Sequence, residues 1–267
     1  RYYLGTRDAK VLAEKLPMAL IHEGIGEVLH DPSGKFQTGD LVVMVPNCPT
    51  EKDDYIAENY LRSSKFCGSS MDGFLQEFVE ISPNRLVKLP QDIDRNVAAF
   101  TEIISVSVHA ITRFDKIAHA RRDVIGVWGD GNLGYITSLF LKYIFPESKI
   151  AVFGTNREKL NDFTFADETH LVNEVPEGFT MDHAFECVGG NGSPIAIEQI
   201  IGLIKPESTL SILGVSEYPV PINTRMILEK GIRMFGTSRS GVADFQKTVD
   251  MYVKHPEIID YLGNLVS

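Results

Sequence analysis

Hydrophobic positions follow two regimes along the chain. Up to about residue 90 they come in short apolar and β-branched runs, 26–34 (GEVLHDPSG), 39–46 (GDLVVMVP) and 73–81 (GFLQEFVEI), punctuated by Gly, Pro, Asn and Asp. That pattern predicts short strands of a small barrel-like sheet, turning at Asp31-Pro32 and Gly39-Asp40. Residues 47–73 are long and polar, the kind of segment that forms a functional lobe or lid more often than a mere connector. From about residue 92 the period changes. Residues 94–114 have helical spacing with few breakers and predict one or two helices. Strand-like runs then alternate with helical ones. Strands are predicted over 123–129, 149–155, 170–174, 181–189, 208–215 and 233–238. Helices are predicted over 133–145, 157–163, 194–204 and 242–255. Continuous Val/Ile/Leu strands alternating with helices predict an α/β fold with a doubly wound parallel sheet covered on both faces.

Gly129, Gly131 and Gly134 form G-x-G-x-x-G between the strand ending at Trp128 and the helix opening at Leu133. Gly129 permits the tight turn, Gly131 lets backbone approach a pyrophosphate, and Gly134 lets helix and strand pack closely. The N–H groups around Asn132 and Leu133 then face the phosphates at a helix N-terminus. As a bare string this pattern is weak, but between a strand and a helix it is specific. The next strand ends in Gly154-Thr155-Asn156-Arg157, with no Asp or Glu where an NAD enzyme binds the ribose 2′-hydroxyl. Thr155 and Asn156 offer hydrogen bonds and Arg157 a charge to a 2′-phosphate, so the expected cofactor is NADP(H). Arg157 could equally be a solvated residue in a helical first turn.

Composition narrows the classes further. At 267 residues with 43% hydrophobic and 23% charged residues, the chain suits two globular domains. The formal charge of −10, without a Lys/Arg run, argues against nucleic acid or a membrane surface as partner. No apolar run reaches the ~18 residues of a membrane span. Three irregularly spaced cysteines, Cys48, Cys67 and Cys187, suit a reducing cytoplasm better than a disulfide framework. Cys187 lies in a buried strand and is expected to be inert.

Residues 21–28 (IHEGIGEV), 39–46, the glutamate in FTEIISVSVHA and VWGDGNLG occur in an order that resembles the zinc-containing medium-chain dehydrogenase/reductase superfamily. Segments RYYLG, KLPMALIHEGIGEV, AENYLRSSKF and SVSVHAITRFD are most similar to its polyol dehydrogenase branch, in particular the ribulose-5-phosphate reductases (ribitol-5-phosphate dehydrogenases) of CDP-ribitol synthesis for teichoic acid or capsule. The resemblance implies a Rossmann domain plus a β-rich GroES-like catalytic domain. Domains are expected at 1–118 (catalytic), 119–241 (dinucleotide-binding) and 242–267 (return of the catalytic segment). The resemblance implies one catalytic zinc on His22, Glu23 and Glu102, which act as catalytic and metal residues, and no structural zinc. It places the family's first zinc ligand, a cysteine, just upstream of Arg1 and its closing segment beyond Ser267, so the catalytic domain is expected to be truncated at both ends. Taken alone, His22-Glu23 would be an ordinary surface pair. A sugar-phosphate substrate would need cations, for which Arg62 and Lys65 are candidates, with Arg7 and Arg113 behind them. Ordinary solvated charges are the alternative. Tyr2 and Tyr3 would line the pocket or equally serve as core aromatics. His109 could face the site but reads better as a packing histidine. The expected activity is hydride transfer between NADP(H) and a ketose phosphate, ribulose 5-phosphate to ribitol 5-phosphate, in a cytoplasmic homodimer or homotetramer joined through residues 208–215 and 233–238. A dehydrogenase of neutral polyols or secondary alcohols, and a non-catalytic NADP(H)-binding protein, are the alternatives.

Overall fold

The computed structural model describes Gly5 and residues 8–266, so Tyr2, Tyr3 and Arg7 lie outside the described residues. The chain forms two compact units, Arg1–Val106 with Ser238–Ser267, and Ser107–Thr237. The first division falls inside a helix, earlier than the boundary expected at 118.

The first unit begins with α1 (Ala9–Lys15), capped by Asp8, whose carboxylate accepts from the Lys10 N–H at 2.9 Å. Strands β1 (Ile25–Glu27), β2 (Leu41–Met44), β3 (Asn47–Cys48), β4 (Lys65–Phe66) and β5 (Leu86–Lys88) follow. They form an antiparallel sheet in the order β1-β2-β5 and a separate β3-β4 ribbon. Strand β2 is buried along its whole length, which its sequence LVVM permits. Helices α2 (Arg95–Ala99) and α3 (Thr101–Ile117) come next, with α3 continuing into the second unit.

Residues 73–81 do not form the expected strand. Gly73, Phe74 and Leu75 donate to the carbonyls of Ala19, Ile21 and Leu20 respectively, out of ladder register, and the side chains of Leu75 and Phe78 are exposed. Alternating apolar residues need a partner strand in register before they become a ladder.

The second unit holds β6 (Val124–Trp128), α4 (Asn132–Ile144), β7 (Lys149–Gly154), α5 (Arg157–Leu160), β8 (Glu168–Leu171), β9 (Met181–Glu186), α6 (Ser193–Leu203), β10 (Ile204–Ile212), α7 (Thr224–Lys230) and β11 (Arg233–Gly236). Its six strands are parallel in the order β11-β10-β9-β6-β7-β8. Because β6 pairs with both β7 and β9, the connections reverse direction there, and the carboxyl ends of β6 and β9 flank the crevice where such sheets bind ligands. Trp128 stacks on Phe153 at 3.9 Å between centroids in the fully buried centre of this sheet. Strand β10 is interior, so of the two segments expected at an open edge only β11 lies there.

The chain returns to the first unit with α8 (Val242–Lys254) and α9 (Glu257–Gly263). Helix α8 buries Phe245, Val249 and Tyr252 on one face and packs on β5. Its start is held by Glu58 from the polar lobe. The Glu58 carboxylate accepts from the Val242 N–H at 3.1 Å and from both terminal nitrogens of Arg85 at 2.9 and 3.1 Å. Helices α1, α7 and α9 were not expected. Each has only seven residues, too few for the 3.6-residue period to stand out from the pattern around it.

Candidate metal and dinucleotide sites

In the first unit, His22 and Glu23 sit in the loop entering β1, and Glu102 in the first turn of α3. One ligand atom from each lies within 4.8 Å of the others. The loop is held from both sides: Phe74 donates to the Ile21 carbonyl at 2.8 Å, and Met44 to that of Gly24 at 3.1 Å. Glu102 is only 5% exposed. Burial, reinforced by the neighbouring Glu23, pushes its carboxyl up to about 8. Burial also lowers His22 below its ordinary value. The imidazole is therefore neutral near pH 7 and gives no charge to Glu102, and its Nε2 stands 3.9 Å from the Glu102 carboxylate. Two carboxyl groups and a neutral imidazole, with no Lys or Arg ion-paired to them among the described residues, form a donor set that a divalent metal fits, its charge replacing the proton that burial otherwise forces on Glu102. Mixed nitrogen and oxygen donors are compatible with zinc.

The backbone at Ile21, immediately before this set, is left-handed with φ 68°. A β-branched residue there costs on the order of 1–3 kcal/mol. Gly68 and Gly73 close around it, since a Cβ on either would meet the Ile21 backbone oxygen at 2.8 and 2.0 Å. The Ile21 side chain is about half exposed and loses little if removed. Ile21→Gly is expected to stabilise the fold by about 1 kcal/mol, after roughly 0.5–1 kcal/mol of glycine entropy is charged against it. Ile21→Ala keeps the strain and gains nothing. Urea midpoints of the two variants check this, and a midpoint for Gly no higher than for Ala would refute the strain.

Phe66, at the end of β4, lays its ring 5.1 Å from the His22 ring, and the Arg239 guanidinium lies 4.7 Å from the same ring. Arg239 too is left-handed, with φ 59°. Sequence reasoning missed this residue, because nothing in SRSG marks one arginine over another. Arg62 and Lys65, the expected clamp, are both exposed and form no ion pair with another described residue. Arg113 lies over Phe235 in the second unit. His109 is buried on α3.

In the second unit the glycine turn follows β6. Gly129 has φ 130°, and a Cβ on Gly134 would fall 1.9 Å from the Gly129 oxygen, so only glycine allows this contact between turn and helix. A Cβ on Gly131 would meet no protein atom within 4 Å, which leaves its backbone open to a ligand. Gly131 is the N-cap of the 13-residue α4, and no side chain caps the first turn, so the N–H groups of Asn132 and Leu133 remain available to an anion. Cys187 is buried, and burial pushes its thiol up to about 12, away from reactivity.

The end of β7 is arranged differently from the expectation. Asp130, the second residue of the turn, swings its carboxylate onto it. One oxygen accepts from the Thr155 and Asn156 N–H groups at 2.6 and 2.8 Å and from the Thr155 hydroxyl at 3.3 Å. The Asn156 side chain is itself occupied, accepting from the Glu158 and Lys159 N–H groups as cap of α5. Arg157 is paired with Glu174, both partners exposed. A second carboxylate was likewise unforeseen. Glu186, fully buried at the end of β9, accepts from the N–H groups of Val188, Gly189 and Gly214 at 3.0, 2.8 and 3.2 Å and ties the turns after β9 and β10 together.

The model of the alcohol dehydrogenase GroES-like domain matches residues 3–91. Together with the six-stranded parallel sheet, it defines the class as an oxidoreductase of the medium-chain dehydrogenase/reductase superfamily. Among curated relatives, ribulose-5-phosphate reductase of Bacillus spizizenii is 56% identical over 267 residues, covering all of this chain and 78% of that protein. Ribulose-5-phosphate reductase 1 of Staphylococcus aureus is 56% identical over 265 residues, covering 99% and 78%. The crystal structure of S. aureus TarJ in complex with NADPH superposes with a TM-score of 0.87 at 49% identity, covering 99% of this chain and 76% of that one. The chain belongs to the ribulose-5-phosphate reductase family.

Proposed function

We propose that this chain reduces ribulose 5-phosphate to ribitol 5-phosphate with NADPH, using one zinc ion held by His22, Glu23 and Glu102. The observation that carries the reading is the buried Glu102 gathered with His22 and Glu23, a set short of positive charge, in a chain this similar to named reductases of that substrate. When bound, zinc supplies Lewis-acid polarisation of a carbonyl and NADPH supplies the hydride. The chain's own residues bind and orient. Glu102 and His22 present lone pairs from a buried helix turn and a strained loop. Arg239, one ring away from His22, is the best-placed cation for the sugar phosphate, and the exposed Arg62 and Lys65 add to the local field that a protein of net charge −10 otherwise lacks.

On the cofactor side, one Asp130 oxygen holds the Thr155 and Asn156 N–H groups, so the positive charge for a 2′-phosphate falls to Arg157. An exposed ion pair such as Arg157–Glu174 is worth only ~0–1 kcal/mol, and a phosphate displaces Glu174 at small cost. We place the enzyme in the cytoplasm, in polymer biosynthesis that consumes ribitol phosphate, as a homo-oligomer through the β11 edge. No helix among the described residues is long and apolar enough to cross a membrane.

Steady-state assays with NADPH and NADH against ribulose 5-phosphate and sorbitol test the proposal. The expected result is turnover of the phosphate with NADPH preferred. Arg157→Ala is expected to cut the preference for NADPH about tenfold, and Arg239→Gln to raise KM for ribulose 5-phosphate about tenfold while leaving any sorbitol activity alone. Equal use of sorbitol would favour the neutral-polyol reading. Tight NADPH binding without turnover would favour a non-catalytic role.

A further inference from the structure

The lobe between β2 and β5 carries two thiols with no part in the reaction just described. In the β3-β4 ribbon Asn47 stands opposite Phe66 and Cys48 opposite Lys65, which makes Cys48 and Cys67 diagonal neighbours on one face. The Cys67 N–H donates to the Pro46 carbonyl at 3.0 Å, and the Cys48 thiol points at the same oxygen at 3.7 Å. Both side chains pack in one apolar cluster with Met44 and Phe74. They differ in access. Cys67 is buried, whereas Cys48 is half-buried, and both line a cleft of about 530 Å³ that also contains Arg85. Beside Cys67, and with the nearby Arg85 charge, the Cys48 thiol is lowered to about 7, while Cys67 is raised. Arg85 is fixed in place by its bonds to Glu58 and to the Asn47 carbonyl, the latter at 3.0 Å. Among the described residues no third His, Cys, Asp or Glu donor joins the two sulfurs, so a closed four-ligand metal site is not formed.

We infer that Cys48 and Cys67 form a reversible dithiol–disulfide pair, with Cys48 the attacking thiol and Cys67 the resolving one, oxidised by low-molecular-weight disulfides that enter the cleft. The Cys48 thiolate attacks one sulfur of R–S–S–R, forming a Cys48–S–S–R mixed disulfide and expelling RS⁻, which takes a proton to become RSH. Cys67 gives its proton to solvent or to a departing thiolate and attacks the Cys48 sulfur, expelling the second RS⁻. Overall the two protein thiols lose two electrons and two protons, and one small disulfide becomes two thiols. A transient pair of this kind is the usual form of a disulfide in a reducing compartment. Its position is one residue from Phe66, the ring on which His22 and Arg239 rest.

The test incubates the reduced full chain with glutathione disulfide and reads intact mass and cysteine peptide maps. Wild type is expected to lose two hydrogens through a single Cys48–Cys67 link that dithiothreitol reverses, with Cys187 unmodified. Cys67→Ser is expected to stop at a stable Cys48–glutathione adduct, and Cys48→Ser to accumulate neither product. No oxidation, a glutathione adduct persisting in wild type, or linkage through Cys187 or between chains would overturn the pairing. Iodoacetamide labelling of native wild type at pH 7 needs no variant to fold. Cys48 is expected to react about tenfold faster than Cys67 or Cys187, and equal rates would overturn its role as attacker.

Discussion

Glu102→Gln is expected to leave a folded protein that no longer holds its metal and turns over about 10²–10³-fold more slowly, the equivalent of ~3–4 kcal/mol of lost carbonyl polarisation. The substitution is nearly isosteric with the protonated carboxyl that burial favours at this position, so the fold itself has little reason to suffer. What changes is the ability to become an anion. Metal analysis should find about one zinc per wild-type chain and a small fraction of that in the variant. Chelation should lower the melting temperature of wild type, since a ligand bound only by the folded state stabilises it by mass action, and leave the variant unmoved. Zinc retained at wild-type level in Glu102→Gln would remove this residue from the ligand set. Loss of zinc in His22→Ala alone would then point to a different partner for the imidazole.

Gly134→Val is expected to weaken NADPH binding by at least about a hundredfold. Its Cβ would lie 1.9 Å from the Gly129 oxygen and 2.8 Å from the Gly129 carbon, both backbone atoms of the turn proposed to hold the pyrophosphate. Neither atom can retreat without moving the turn away from the helix N-terminus, and the two branched methyls add to the clash. Gly131→Ala makes an informative companion. Nothing in the protein lies within 4 Å of its added methyl, so thermal stability should hold while dinucleotide binding still falls, because the methyl enters the space kept for the ligand. Calorimetric titration with NADPH measures both. Wild-type affinity in Gly134→Val, or an unfolded Gly131→Ala, would contradict this arrangement.

The dinucleotide turn was legible because its chemistry is local: three glycines, the strand before them and the helix after them are contiguous, and each glycine has a steric reason. The parallel sheet was legible for a similar reason, since strands buried on both faces must be apolar throughout. Glu102 was placed only through resemblance, because a lone glutamate in a helix says nothing about a histidine eighty residues earlier. Asp130 shows the limit more sharply. The absence of an acid after β7 was read correctly from the sequence, yet a carboxylate reaches that place from the preceding turn. Arg239 and Glu186 escaped notice for the opposite reason. Their roles depend on which ring or which N–H groups the fold brings to them, and residue type alone does not encode that. The run at 73–81 was misread because alternation records a preference for two faces and leaves open whether a neighbouring strand is there to pair with it.

Glu58 waits for a partner that is made late. Its carboxylate closes on the Val242 N–H, and between the two lie β6 through β11. During synthesis at ~5–20 residues per second, the parallel sheet is complete and able to fold while the first unit still lacks its closing helix. The newborn chain therefore passes through a period of many seconds in which β5 has no α8 to cover it, and the unit begun first is the one completed last.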